Sequence, residues 1–96
     1  MSLREDVLRL KRDDVMRIVH AHRGRRAYLF GSLARNEGTP ASDVDVIVEF
    51  EPGSSLFDLM HLETDLRELL GVPVDVVSAG GLLARDEQIR REAIPI

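Results

Sequence analysis

The chain has 96 residues, 17 acidic against 13 basic, a net charge of −4 with neutral histidines, and 44% hydrophobic content. Its length predicts one domain over 1–96 with a core of its own, and its acidic balance disfavours general binding to a phosphate backbone. The absence of cysteine excludes disulfides, thiolate nucleophiles and Cys-ligated metal centres.

Ser2 and Glu5 have the spacing of a capping box, which predicts a helix over residues 3–22, broken near Lys11. Val15, Ile18, Val19 and His22 recur at helical spacing, and Gly24 is the expected stop. The start MSLREDVLRLKRDD is too charged for a secretory signal. No apolar run reaches the roughly 18 residues of a membrane span, so a cytoplasmic setting is expected.

Ala27-Tyr28-Leu29-Phe30 reads as a buried strand entering a tight turn at Gly31. Ser32 to Arg35 can form one helical turn, and Asn36 to Ser42 is a polar loop. Asp43 to Phe50 is a second strand, alternating at its start. Pro52 and Gly53 end it, and Ser54 or Ser55 caps a helix over residues 56–70. Leu56, Leu59, Leu62, Leu66 and Leu69 form its apolar stripe, and Gly71 closes it. Val72 to Val77 is a third strand, with Pro73 at its start and Asp75 in its middle. Leu83 to Glu92 is predicted as a last helix, and Ile94-Pro95-Ile96 as an edge segment or tail. The order αβαβαβα implies an α/β (α+β) fold, a small mixed sheet flanked by helices.

Three aspartates stand out against this frame. Asp43 and Asp45 are two apart at a strand start, on one face and roughly 7 Å apart along the backbone. Such neighbours repel unless a cation joins them. Magnesium suits the donor set, because it takes carboxylates together with substrate phosphates and keeps part of its water. Asp75 lies among valines in a separate strand, where aspartate is disfavoured. If the two strands are neighbours, Asp75 completes a centre for two ions about 3.5–4 Å apart, as ligand or base. Gly31 and Ser32 offer close backbone approach and phosphate donors, and Arg35 adds a positive charge one turn later. Each feature alone has a bland reading as a turn, a solvated strand start or an edge position. The combination is more specific.

Gly31-Ser32, ten intervening residues and then Asp43-Val44-Asp45 resemble the signature of the polymerase-beta-like nucleotidyltransferase superfamily. The stretch LFGSLARNEGTPASDVDVIVEF, with the later VPVDVVS, is similar to the minimal nucleotidyltransferase group over about residues 12–96. The resemblance implies magnesium on Asp43, Asp45 and Asp75, and nucleotide phosphates on the Gly-Ser turn. Asn36 departs from the group's usual glycine, and asparagine tolerates left-handed backbone. The resemblance further implies an antitoxin that silences a HEPN-domain ribonuclease toxin by moving AMP from ATP to a tyrosine hydroxyl. The short chain leaves little room for a domain that binds a small acceptor, which favours an acceptor carried by a partner protein in a hetero-oligomer.

Two other classes stay open: an antitoxin that neutralises by binding alone, and nucleotidyl transfer to a small molecule or RNA end. His20, His22 and His61 are not expected to act in the site. Tyr28 and Phe30 are expected in the core, and Arg23, Arg25 and Arg26 at a solvated strand entrance.

Overall fold

The computed structural model describes residues 5–34, 43–81 and 91–96. The Ser2 capping box, the loop 36–42 and most of the helix predicted over 83–92 fall outside these residues.

The first helical region is broken where the sequence places the break. Asp6–Leu10 is a π-helical segment closed by the Lys11 N–H donating to the Asp6 carbonyl at 2.7 Å, and Lys11 leaves helical geometry at φ −108°, ψ 10°. Helix α1 then runs Arg12–Ala21 and buries Val15 and Val19. Its stop is not Gly24. Arg23 makes the left-handed turn at φ 66°, and Gly24 already begins strand β1 (Gly24–Phe30). A Cβ on Gly24 would strike the Val19 side chain, sit 2.8 Å from the Val19 carbonyl oxygen and 3.0 Å from Val48 Cγ1. The glycine is there because helix and sheet touch at that point.

After β1 comes the short helix α2 (Gly31–Ala34) and then β2 (Val44–Phe50). Helix α3 spans Leu56–Leu70, the predicted range. Asp58 accepts the Ser55 backbone N–H at 2.9 Å at its start, and Gly71 ends it at φ 70°. Strand β3 is Val74–Ser78, a 3₁₀ turn covers Ala79–Gly81, and β4 is Ile94–Pro95. The strand order is β3-β2-β1-β4. β2 runs antiparallel to β1 and parallel to β3, and β4 adds an antiparallel edge to β1, so the sheet is mixed as expected.

One face of this sheet is the core face. Ala27 and Leu29 of β1, Val44, Val46 and Val48 of β2, and Val74 and Val76 of β3 are buried there with Val15 and Val19 of α1 and Leu62 and Leu66 of α3. The leucine stripe is shorter than its period suggests: Leu56 is 69% exposed and lies off the core. Lys11 Nζ donates to the Leu69 carbonyl at 3.3 Å, tying the helical break to the end of α3. Among the described residues no helix is long and apolar enough to cross a membrane.

Gly24→Ala is expected to lower stability by about 1–3 kcal/mol, the range for forcing a methyl into a packed contact. Urea unfolding should show a lower midpoint with an unchanged slope; an unaltered midpoint would contradict the tight α1–sheet contact.

Candidate active site

Strand alternation decides where the acids point. Val44, Val46 and Val48 enter the core, so Asp45 between them is on the other face of β2. The same alternation in β3 sends Val74 and Val76 inward and leaves Asp75 on the opposite side, exposed. Because β2 and β3 pair in parallel with Asp45 opposite Asp75, the two aspartates are direct cross-strand neighbours. Asp43 lies just before β2, exposed, with the buried Val44 between it and Asp45.

The glycine turn joins this row from the other side of β2. Phe30, the last residue of β1, pairs with Asp45. Gly31 follows at φ 73°, and a Cβ there would lie 2.5 Å from Asp45 Oδ2. Any other residue would therefore meet both a strained backbone and the carboxylate. The Ser32 side chain and Arg35 fall outside the described residues, so the structure brings together Gly31, Asp43, Asp45 and Asp75 of the predicted set.

The electrostatics agree with this geometry. The Asp45 carboxyl is held above its ordinary value of 3.8 by partial burial first, then by repulsion from Asp75 and from Asp43. No ion pair or hydrogen bond offsets the three charges among the described residues. Nor do any three acidic or imidazole side chains among those residues enclose an ion by themselves. Magnesium fits such an open donor set: it needs one or two carboxylates, with water and substrate phosphates completing the shell. Asp43, Asp45 and Asp75 are the residues suited to hold it.

The histidines lie elsewhere. His22 Nε2 is 2.6 Å from Asp65 Oδ2, a bond between α1 and α3, and its ring is 6.3 Å from that of His61. This cluster belongs to the helical layer. Arg25 and Arg26 are exposed, as a solvated strand entrance requires, and Arg23 donates to the Gly53 carbonyl at 3.1 Å. Tyr28 and Phe30 are half-buried on the acid-bearing face rather than within the main core.

Two residues that sequence reasoning did not single out touch the strand carrying Asp75. Glu63 accepts the Val76 N–H at 3.0 Å, and Arg67 donates to the Val74 carbonyl at 3.2 Å. Their i, i+4 spacing on α3 is a signal for an ion pair, but nothing in it announces a backbone partner.

Residues 9–94 match the family model of the nucleotidyltransferase domain. The chain belongs to that family. A solved structure described as a candidate minimal nucleotidyltransferase is 44% identical, spans 100% of this chain and 97% of its own, and superposes with a TM-score of 0.85. A candidate protein adenylyltransferase of Methanocaldococcus jannaschii is 42% identical over 84 residues, 85% of this chain and 89% of that protein. A toxin–antitoxin complex with AMP-PNP shares the fold at a TM-score of 0.73 and 19% identity, over 86% of this chain and 69% of the other. The chain is thus a minimal nucleotidyltransferase domain, and its enzymatic class is nucleotidyl transfer.

For this nucleotidyltransferase the raised Asp45 has a defined effect on stability. A folded carboxyl with raised proton affinity binds more protons than the unfolded one, so its contribution falls as pH rises from 3.8 through the folded value. In metal-free buffer Asp45→Asn should therefore melt above the parent near neutral pH. The gap should narrow as pH falls towards 3.8. Melting temperatures across that range test this; a gap independent of pH would rule it out.

Proposed function

We propose that the chain is a magnesium-dependent adenylyltransferase and the antitoxin of a type VII-like toxin–antitoxin pair. It moves AMP from ATP to a tyrosine hydroxyl of a HEPN-domain ribonuclease toxin. The observation that carries the reading is the acid row, Asp45 beside Asp75 with Asp43 adjoining and no offsetting charge among the described residues, against a left-handed glycine turn where a Cβ would meet the Asp45 carboxylate. The name of the Methanocaldococcus relative supports a protein acceptor. The toxin–antitoxin complex that shares the fold supports an adenine nucleotide and a toxin partner.

In this reading Asp43, Asp45 and Asp75 would hold two magnesium ions together with the nucleotide phosphates. The ions, when bound, neutralise the triphosphate and stabilise the leaving pyrophosphate. Gly31 and Ser32 present the turn to the phosphates, and Arg35 adds positive charge there. The acceptor oxygen attacks the α-phosphorus, and its proton passes to a carboxylate oxygen of Asp75. The bond from the α-phosphorus to the bridging oxygen breaks, and pyrophosphate departs with the electron pair. The partner presents the hydroxyl to the exposed side of the row.

The test is incubation of the purified chain with its toxin, magnesium and ATP labelled at the α-phosphate. One AMP on a toxin tyrosine is expected, with loss of labelling by at least about 10²-fold in Asp75→Asn, the scale of removing a general base, and complete loss on chelation. No label on the toxin, together with neutralisation by the Asp43→Ala/Asp45→Ala protein, would establish a binding-only antitoxin. Turnover without any protein acceptor would instead point to a small molecule or RNA.

A further inference from the structure

β3 is the outer strand of the described sheet, so one row of its backbone groups faces away from β2. Two side chains of α3 fill part of that row. The Val76 N–H donates to Glu63 Oε2 at 3.0 Å. Glu63 Oε1 accepts from Arg67 Nη2 at 2.8 Å, and Arg67 Nε donates to the Val74 carbonyl at 3.2 Å. The three bonds form a bracket whose two feet stand on either side of one residue, Asp75.

A Glu–Arg pair four residues apart on a helix surface ordinarily contributes little. This one differs in where its remaining polar atoms go. Each partner spends one group on the other and one on strand backbone, and the Glu63 side chain is only 23% exposed. Asp75 itself is exposed and sits where just one neighbouring strand is described to hold it. Among the described residues no side chain bonds to its carboxylate, so its position there depends on the backbone beneath it.

We propose that Glu63 and Arg67 are positioning residues for Asp75, bracketing its two peptide links so that its carboxylate stays in line with Asp45. The proposal rests on the reading above that Asp75 serves the cation and the transfer. Its physical basis is the steep dependence of such sites on placement: a misplacement of about 1 Å can cost about 10²-fold in rate. Loss of groups that orient metal ligands typically costs about 10–100-fold in metal affinity or activity. Glu63 is the more informative of the two, because its amide analogue separates acceptor geometry from charge. Glu63→Gln keeps an oxygen for the Val76 N–H, whereas Glu63→Ala removes it. Arg67→Lys keeps the charge but loses the planar fork that reaches both partners.

The experiment titrates Mn²⁺ into the metal-free full chain and reads free ion by electron paramagnetic resonance. The parent is compared with Glu63→Ala, Glu63→Gln and Asp75→Asn, with Val76 amide exchange followed by NMR in each. Glu63→Ala is expected to speed Val76 exchange and weaken Mn²⁺ binding about 10-fold, while Glu63→Gln stays near the parent. Unchanged Mn²⁺ affinity in Glu63→Ala, with binding weakened in Asp75→Asn, overturns the bracket and leaves the site reading intact. Unchanged affinity in Asp75→Asn overturns the reading itself. Failure of Glu63→Gln to restore binding also overturns the bracket. Should Glu63→Ala not fold, Arg67→Lys takes its place, with weaker Mn²⁺ binding expected and parent-like binding overturning the proposal.

Discussion

The parallel register of β2 against β3 is the constraint on which the site depends. It sets Val44 against Val74, Asp45 against Asp75 and Val46 against Val76. The valines fix the choice. Burying a valine side chain is favourable by about 1.5–3 kcal/mol, and all four of these are buried. A slip of one residue would turn the acids into the core and the valines out. Two like charges directly opposite one another are destabilising, and they persist side by side because the buried valines on either side favour this register. The chemistry of one face is therefore enforced by the packing of the other.

A chain with one small sheet has to use the same strands for its core and for its site. Alternation makes this possible, since a strand offers two independent faces to a single run of residues. The consequences of that economy are visible where local preferences are broken. Gly31 takes a left-handed backbone at φ 73°, where a Cβ would meet the Asp45 carboxylate, and Asp45 carries charge that its surroundings resist. Such conflicts are expected where a site has been placed on a fold at the expense of stability. Among the described residues the ties of the helical layer include the His22–Asp65 and Lys11–Leu69 contacts, and they join elements rather than face the acids.

How far the sequence could be read follows from the same distinction between local and distant information. Helix α3 is legible to the residue because both of its ends are written nearby, in Ser55 with Asp58 and in Gly71. The faces of Asp45 and Asp75 are legible because alternation is local. Their adjacency is not, because pairing of β2 with β3 is set by topology and spans the whole of α3. Gly24 shows how a correct clue can carry the wrong reason: glycine after a helix suggests a stop, yet here it makes room for Val19, and Arg23 makes the turn. Leu56 fits the helical period but lies in the first turn, beyond the reach of the core. The register brings together Asp45 and Asp75, two of the residues on which the family likeness rests.

Glu63 and Arg67 mark the limit of pattern reading. Side chains that bond to other side chains leave a trace in residue types on both sides of the contact, whereas side chains that bond to backbone leave it on one side only. The backbone of Val74 and Val76 offers the same groups whatever residues stand there. An edge strand therefore needs its partner supplied from elsewhere in the fold, and α3, which connects β2 to β3, is the element already lying against it. The crossover helix thus has two tasks set by one position: its leucines cover the core face, and its polar residues at the margin finish the strand that carries the outermost acid.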